Sequence, residues 1–189
     1  MERPILTTER LILRQVQMSD AERIATLAGA FEVAEYTLNM PHPYEPYMAT
    51  EWITGVHNRT DDDPTYTFAI SQRTDQQLIG MIGFTVDERH NKTEIGYWIG
   101  KRYWGNGYTT EAAQAIVDYC FDTLELNRVE ASYYASNTRS KRVMEKIGMS
   151  YEGTQRQAIV REIPALNYRK VHDLGMYAIL REDWLKNRG

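Results

Sequence analysis

The segment from Thr93 to Ala113, TEIGYWIGKRYWGNGYTTEAA, restricts the possible folds more than any other part of the chain. Its first part is an apolar run typical of a strand, and its last residues begin an amphipathic helix pattern that continues to Leu124. Gly105 and Gly107 lie at the junction and permit backbone conformations that other residues avoid. A strand, a glycine turn and a helix in direct succession bring backbone amides and the positive end of a helix dipole together, which favours anion binding.

Two common phosphate-binding motifs fit this segment poorly. A Walker loop requires a lysine directly after its last glycine, and the residue directly after Gly107 is not a lysine. A dinucleotide fingerprint requires a third glycine where the chain has Thr110, and it normally opens a parallel sheet, whereas several strands with antiparallel signals precede this segment. The pattern that remains is R-x-x-G-x-G, from Arg102 to Gly107.

The apolar pattern of the whole chain predicts a mixed α/β fold with about seven strands and about four helices. A capping-box spacing at Ser19 to Glu22 starts a first helix that ends near Gly29, and a second helix carries Trp52 and Ile53. A third helix follows the glycine turn. The fourth helix and the strands are predicted at Asn137 to Ile147, and at Leu6 to Val16, Tyr66 to Ser71, Leu78 to Val86, Glu94 to Gly100, Val129 to Tyr134 and two stretches between Tyr151 and Leu180.

Length, charge and cysteine content indicate a single cytoplasmic domain. The 189 residues are 42% hydrophobic, which suits one domain spanning residues 1–189. The net charge of −4 gives no general attraction to nucleic acid, and no apolar run approaches the roughly 20 residues of a membrane span. Cys120 is the only cysteine, and the four histidines are far apart, so we expect neither a disulfide nor a metal site.

Four motifs together resemble the GNAT acetyltransferase superfamily, and within it the RimJ/RimL type of ribosomal-protein N-acetyltransferase. They are TERLILR from Thr8, EIGYWI from Glu94, YWGNGY from Tyr103, and N-x-x-S-x-x-V-x-x-K-x-G from Asn137 to Gly148. The resemblance extends from about Leu6 to Leu185. It implies a single-domain GNAT fold, with a mostly antiparallel sheet that splays at the cofactor site, and direct transfer of acetyl from acetyl-coenzyme A to an amine.

The resemblance also implies a set of coenzyme-binding residues. Backbone amides of the glycine turn would hold the pyrophosphate, the strand before it would pair with the pantetheine arm, and Arg102, Asn137 and Ser140 would complete the site. The turn and strand residues are Gly105, Asn106, Gly107, Tyr108 and Thr109, and Tyr97, Trp98 and Ile99. Two of these residues have a simpler interpretation, because Asn137 also suits a helix N-cap and Arg102 also suits a solvated surface.

Glu94 is the candidate general base, because several GNAT enzymes place a glutamate at this strand position. Alternation puts it on the same face as Gly96, whose missing side chain leaves room for a substrate; a structural charge at the strand edge is the alternative. The proton donor is less regular, since Met144 stands where many members have tyrosine. Ser140 is the candidate acid by resemblance to the RimJ/RimL type, with Tyr133 and Tyr134 as further options.

The acceptor with the lowest free-energy cost of deprotonation is the N-terminal α-amine of a protein or peptide. At pH 7 an amine of pKa about 8 loses about 1.4 kcal/mol to deprotonation, against about 4.6 kcal/mol for lysine. A small-molecule amine, such as an antibiotic or polyamine, and a non-catalytic acyl-coenzyme A sensor stay as alternatives. Tyr44, Tyr47 and Trp52 are predicted to line the acceptor site, and an edge in the last two strands allows either a monomer or a homodimer.

Overall fold

An open eight-stranded sheet organises the part of the chain that the computed structural model describes, residues 4–60 and 62–188. The strands are β1 Leu6–Thr7, β2 Leu11–Arg14, β3 Thr65–Gln72, β4 Leu78–Asp87, β5 Lys92–Ile99, β6 Arg128–Tyr134, β7 Ser150–Ile163 and β8 Tyr168–Leu180. Their order across the sheet is β1-β2-β3-β4-β5-β6-β8-β7. Among these eight described strands, only β5 and β6 pair in parallel, and the other neighbours are antiparallel.

Six α-helices accompany the sheet within these residues. They are α1 Ala21–Ala28, α2 Phe31–Ala34, α3 Pro46–His57, α4 Tyr108–Asp122, α5 Thr138–Lys146 and α6 Arg181–Arg188. The described part of the chain also has three short 3-10 turns, at Met18–Asp20, Lys101–Tyr103 and Pro164–Leu166. The helix α4 connects the parallel strands β5 and β6, which forms a β-loop-α-β unit.

The two faces of the sheet bury two separate apolar clusters. One cluster packs Ile116 and Val117 of α4, Met144 of α5 and Trp184 of α6 against the sheet. The other packs α1 and α3 against the opposite face, with apolar residues that include Ile24, Leu27, Ile53, Ala69 and Met81. The α1–α3 face and the α4–α6 face are therefore distinct, and a residue on β5 contacts one or the other according to its position in the strand.

The predicted mixed α/β class and mostly antiparallel sheet are confirmed. The sheet has eight strands because the expected strand from Leu6 to Val16 is split, and Thr8 explains the break. Its hydroxyl oxygen accepts a hydrogen bond from the Leu11 amide at 3.0 Å, and its own amide donates to the Leu11 carbonyl, which folds the chain back on itself. β1 then pairs antiparallel with β2, placing Leu6 opposite Leu13.

The predicted capping box lies two residues too late. Gln17 and Asp20, not Ser19 and Glu22, form the reciprocal pair, because a 3-10 turn precedes α1. Buried Asp20 accepts the Gln17 amide at 2.8 Å and two hydrogen bonds from Arg14. Residues 61–64, three aspartates and a proline that the sequence predicts to close the region of the second helix, are described only from residue 62, because Asp61 lies outside the described residues.

Candidate active site

The two parallel strands separate soon after they meet. β5 and β6 pair over only three positions, Lys92–Arg128, Thr93–Val129 and Glu94–Glu130. Beyond these positions the ladder between the two strands stops, while β5 continues to Ile99 and β6 to Tyr134. A cavity of about 1050 Å³ opens at this divergence and passes from the glycine turn to the α1–α3 face. The predicted splay of the sheet is therefore present.

The glycine turn forms one end of the cavity. Gly105 and Gly107 have φ values of +80° and +79°, in the left-handed region that glycine adopts without strain. Gly107 is the N-cap of α4, and no side chain caps this helix. The first intrahelical acceptor at this end is the Gly107 carbonyl, which accepts from the Glu111 amide at 3.0 Å. The amides of the first turn therefore have no intrahelical partners and are oriented to hold an anion.

A brace from the N-terminal motif fixes the turn. Glu111, in the first turn of α4, accepts hydrogen bonds from the Thr8 hydroxyl at 2.6 Å, the Arg10 amide at 2.8 Å and Arg10 Nε at 2.7 Å. Arg10 Nη1 also donates to the Asn106 carbonyl at 3.0 Å, and its guanidinium lies 4.7 Å from the Tyr108 ring centroid. Partial burial disfavours the charged carboxylate of Glu111, but the bonds from Thr8 and Arg10 outweigh it and lower its pKa.

Arg10→Ala is expected to weaken acetyl-coenzyme A binding by about 3- to 10-fold, because the Asn106 carbonyl loses its bond from Arg10 Nη1 and the Glu111 carboxylate loses its bond from Arg10 Nε. Isothermal titration with coenzyme A would measure this. The matched control is Arg73→Ala, since Arg73 donates to the Thr8 and Glu9 carbonyls of the same β1–β2 turn without contacting the glycine turn. Equal affinities in the two variants would contradict the bracing role of Arg10.

The hydroxyls of Tyr97 and Ser140 meet on the α4–α6 side of the gap. Tyr97 on β5 donates to the Ser140 carbonyl at 3.3 Å, and its hydroxyl lies 3.0 Å from Ser140 Oγ. Burial raises the pKa of Tyr97 to about 12, despite the opposing effect of the Ser140 hydrogen bond. Tyr97 therefore stays protonated at neutral pH, and both Tyr97 and Ser140 line the cavity.

Asn137 serves as the N-cap of α5. Its side-chain Oδ1 accepts a hydrogen bond from the Ser140 backbone amide at 3.2 Å, and its backbone amide donates to the Tyr134 carbonyl at 2.6 Å. The cap uses the side-chain oxygen, while Asn137 also lines the cavity. One residue thus fixes the start of α5 and contributes to the wall of the cavity.

Three cations of α5 line the cavity, namely Arg139, Arg142 and Lys146. Arg139 lies 4.6 Å from the Trp104 ring centroid, and the Trp104 indole donates to the Ile99 carbonyl at 2.8 Å. This end of the cavity combines positive charge with uncapped amides, and it suits a phosphorylated ligand.

Glu94 lies on the side of the gap opposite the Tyr97–Ser140 pair. It lines the cavity, is exposed, and its Oε1 accepts the Ser132 hydroxyl of β6 at 2.6 Å. Gly96 lies two residues along the same strand, and a Cβ built there meets no atom within 4 Å. The predicted open space beside Glu94 is therefore present. Because Glu94 Oε2 is not used by Ser132, this carboxylate can also contact a substrate.

Arg161 of β7 fixes the loop that forms the far wall of the cavity. The side chain is 6% exposed. Its guanidinium donates to the carbonyls of Ala34 at 3.1 Å, Leu38 at 3.1 Å and Met40 at 2.6 Å. Leu38 and Met40 line the cavity, so this single arginine sets the path of the wall.

The structure brings most of the predicted site residues to the cavity. Those that line it are Glu94, Tyr97, Trp98, Ile99, Gly105, Gly107, Tyr108, Thr109, Asn137 and Ser140, together with Tyr44, Trp52, Tyr133 and Tyr134. Arg102, Asn106 and Tyr47 lie outside its lining. Arg102 packs over the Tyr103 ring, Asn106 donates to the carbonyls of Tyr103 and Trp104, and Tyr47 is 59% exposed on α3.

Sequence reasoning missed three contributors, namely the Thr8–Arg10–Glu111 brace, Ser132 and Arg161. The TERLILR motif marked Thr8 and Arg10, but nothing local connects them to Glu111, which is 101 residues from Arg10. Cys120 is fully buried in the α4–α6 cluster, as its helical spacing predicted, and burial raises the pKa of its thiol to about 12.

Two wider features bear on the class of site. Within residues 4–60 and 62–188, no three His, Cys, Asp or Glu side chains come together in a way that could hold a metal ion. In the same part of the chain, no helix has the length and apolar character that crossing a membrane requires.

Residues 10–150 match the family model described as the acetyltransferase (GNAT) domain. The chain belongs to the GNAT acetyltransferase family. This match includes Arg10 and Glu111 of the brace, the diverging strands, the glycine turn and α5. The molecule is therefore an N-acetyltransferase, and its family uses acetyl-coenzyme A.

Curated relatives cover most of the chain. A Bacillus subtilis protein with the provisional name of ribosomal N-acetyltransferase is 37% identical over 179 residues, which cover 93% of this chain and 94% of that protein. The alanine N-acetyltransferase of ribosomal protein uS5 from Escherichia coli is 26% identical over 162 residues, which cover 78% of this chain and 79% of that enzyme.

Solved structures share the fold. An acetyltransferase of the GNAT family from Bacillus anthracis superposes with a TM-score of 0.79 at 28% identity, covering 95% of this chain and 99% of that one. Two more distant neighbours share the fold alone. The microcin C7 self-immunity acetyltransferase, solved with acetyl-coenzyme A and AMP, has a TM-score of 0.78 at 17% identity, covering 92% of this chain and 93% of its own. A spermidine N-acetyltransferase chimera involving Vibrio cholerae has a TM-score of 0.74 at 20% identity, covering 93% of this chain and 98% of that one.

Proposed function

We propose that this chain, as a single acetyltransferase domain, transfers acetyl from acetyl-coenzyme A to the N-terminal α-amine of a protein or peptide. The observation that carries the proposal is the gap between β5 and β6. It has uncapped amides at one end and a carboxylate, Glu94, facing the α1–α3 side. A cofactor with phosphates at one end and a reactive group at the other fits this arrangement.

The residues present suit coenzyme A. The amides of Gly107, Tyr108 and Thr109 would hold the pyrophosphate, and Arg139, Arg142 and Lys146 supply positive charge for the other phosphate. The unpaired edge of β5 at Tyr97 to Ile99 offers backbone groups to the pantetheine arm. When bound, acetyl-coenzyme A supplies the activated thioester, and the chain's own residues bind, orient and manage protons.

Two groups on opposite sides of the gap would handle the protons. Glu94 would take the proton of the attacking amine, directly or through water, while the Ser132 hydrogen bond holds its carboxylate in place. Ser140 would donate to the departing thiolate, with the Tyr97 hydroxyl 3.0 Å behind it as a proton source. A covalent acyl carrier is not needed, and buried Cys120 has no access to the cavity lining.

An α-amine is the preferred acceptor for two reasons. Its deprotonation at pH 7 costs about 3 kcal/mol less than that of lysine, which suits a site whose candidate base is one exposed carboxylate, Glu94. Two relatives are also named as ribosomal N-acetyltransferases, one of them for the alanine of uS5. A protein terminus is therefore the acceptor that we propose.

Release of free thiol from acetyl-coenzyme A, measured across unblocked peptides, the same peptides with a blocked N-terminus, and small amines, tests this function. We expect turnover with unblocked peptides and none with blocked peptides, including those that contain lysine. Turnover with small amines alone would replace a protein acceptor by a small-molecule one. Binding of coenzyme A without any turnover would indicate a sensor in place of an enzyme.

A further inference from the structure

Side chains along β5 point alternately to the two faces of the sheet, and this alternation distinguishes the acceptor side of the cavity from the coenzyme side. Ile95 and Tyr97 pack into the cluster on the α4–α6 face, whereas Trp98 packs against the cluster on the α1–α3 face. Glu94 and Gly96 lie four and two positions before Trp98 on the same strand, so they face α1–α3 as Trp98 does. An amine that reaches Glu94 must come from that side, across the open space above Gly96.

The wall on this side is apolar and aromatic. Its main members, all lining the cavity, are Leu38, Met40, Tyr44, Met48, Trp52 and Trp98. Leu38 and Trp52 are large side chains left 45% and 38% exposed. Exposed apolar surface inside a concave site is typical of a surface that a ligand covers.

Negative charge on this wall is scarce. Among the described residues that line the cavity, the acidic side chains are Glu32 and Glu94. Glu32 is bonded to Lys101 at 2.5 Å, which leaves Glu94 as the carboxylate available to a cation. One free carboxylate matches one ammonium group. A polyamine, which carries several cations along its chain, would leave the others beside apolar side chains without partners.

We infer that the acceptor carries an apolar or aromatic group next to its amine, as in a peptide that begins with methionine, leucine or phenylalanine. This inference rests on the proposed function and names the acceptor class of the same site. Glu94 receives the amine, and the wall of Leu38, Met40, Tyr44, Met48, Trp52 and Trp98 receives the neighbouring side chain. Arg161 supports this specificity by holding the carbonyls of Leu38 and Met40.

Two paired acceptor sets test the inference. Peptides of one sequence begin with Phe, Leu or Met in the first set and with Ser, Ala or Asp in the second. The small amines phenethylamine, ethanolamine and spermidine repeat the contrast without a peptide. Thiol release gives kcat/KM for each acceptor. We expect values at least 10-fold higher for the apolar members.

A matched pair of variants locates the preference. Trp52→Ala should lower kcat/KM for Phe-initiated peptides by about 10-fold, with little change for Ser-initiated ones and with the Kd for coenzyme A unchanged. Tyr47→Ala is the control, because Tyr47 is an exposed aromatic on the same helix that lies outside the cavity lining. It should behave as the wild type with every acceptor.

Three results would overturn the inference, namely equal kcat/KM across each set, a preference for Ser, Ala, Asp or spermidine, or a Trp52→Ala effect that is the same for all acceptors. The proposed function fails in a different way. Turnover of phenethylamine without turnover of any peptide would remove the protein acceptor and keep the apolar preference. Turnover of all peptides alike would keep the function and remove the preference.

Discussion

Replacement of Gly107 by tryptophan is expected to raise the Kd for acetyl-coenzyme A at least 100-fold while the chain remains folded. The residue has φ +79° and caps α4, so a side chain there forces the turn out of the left-handed region at a cost of about 1–3 kcal/mol. A Cβ would also lie 3.4 Å from Arg10 Nη2, in the brace. Loss of two hydrogen bonds to a charged phosphate, about 1.5–3 kcal/mol each, accounts for the weaker binding.

Gly55→Trp is the control for this variant. It adds the same side chain to an exposed position of α3, where a Cβ meets no atom within 4 Å and φ is not positive. Titration calorimetry gives the affinities, and thermal unfolding confirms that both variants fold. A folded Gly107→Trp protein with wild-type affinity would remove the glycine turn from coenzyme binding.

Glu94→Gln is expected to lower kcat by about 10²- to 10⁴-fold at neutral pH, with the Kd for acetyl-coenzyme A unchanged. The amide keeps an oxygen that accepts the Ser132 hydrogen bond, so the local structure is preserved while the base is lost. The residual rate should rise with pH up to about 8, as the α-amine of the acceptor loses its proton without help. Assays of free-thiol release at a series of pH values measure the loss of kcat and its pH dependence.

Glu130→Gln is the matched control for Glu94. Glu130 is the register partner of Glu94 on β6, but it lies outside the lining of the large cavity and is bonded to Lys92 and Arg128. Its loss should leave kcat near the wild-type value. If Glu94→Gln kept both its rate and its pH profile, Glu94 would have a structural role only.

The elements with strong periodicity were predictable from the sequence. The glycine turn and the apolar spacing of Ala112, Ile116, Val117 and Cys120 predicted α4, and all four side chains are fully buried. The missed helices have weak local signals, because α2 has only four residues and α6 is mostly charged, with Trp184 buried. The broken first strand depends on one Thr8 hydroxyl, which a hydrophobic pattern does not register.

The predictable part of the site was likewise the local part. Gly107, Tyr97 and Glu94 lie within one segment whose pattern indicates their positions. Arg161 contacts residues 121 to 127 positions away, and such contacts leave no periodic signal in a single sequence. The family resemblance implies that Arg102 contacts the cofactor, and this stays a prediction; in the structure its guanidinium lies over the Tyr103 ring.

The two walls of the cavity are secured by different arginines from opposite edges of the sheet. Arg10, beside β2, holds the turn at the coenzyme end, and Arg161, on the edge strand β7, holds the loop at the acceptor end. Their hydrogen bonds have no residue in common. A substitution that breaks the hydrogen bonds of one arginine therefore leaves those of the other in place, so the two ends of the cavity can be altered one at a time.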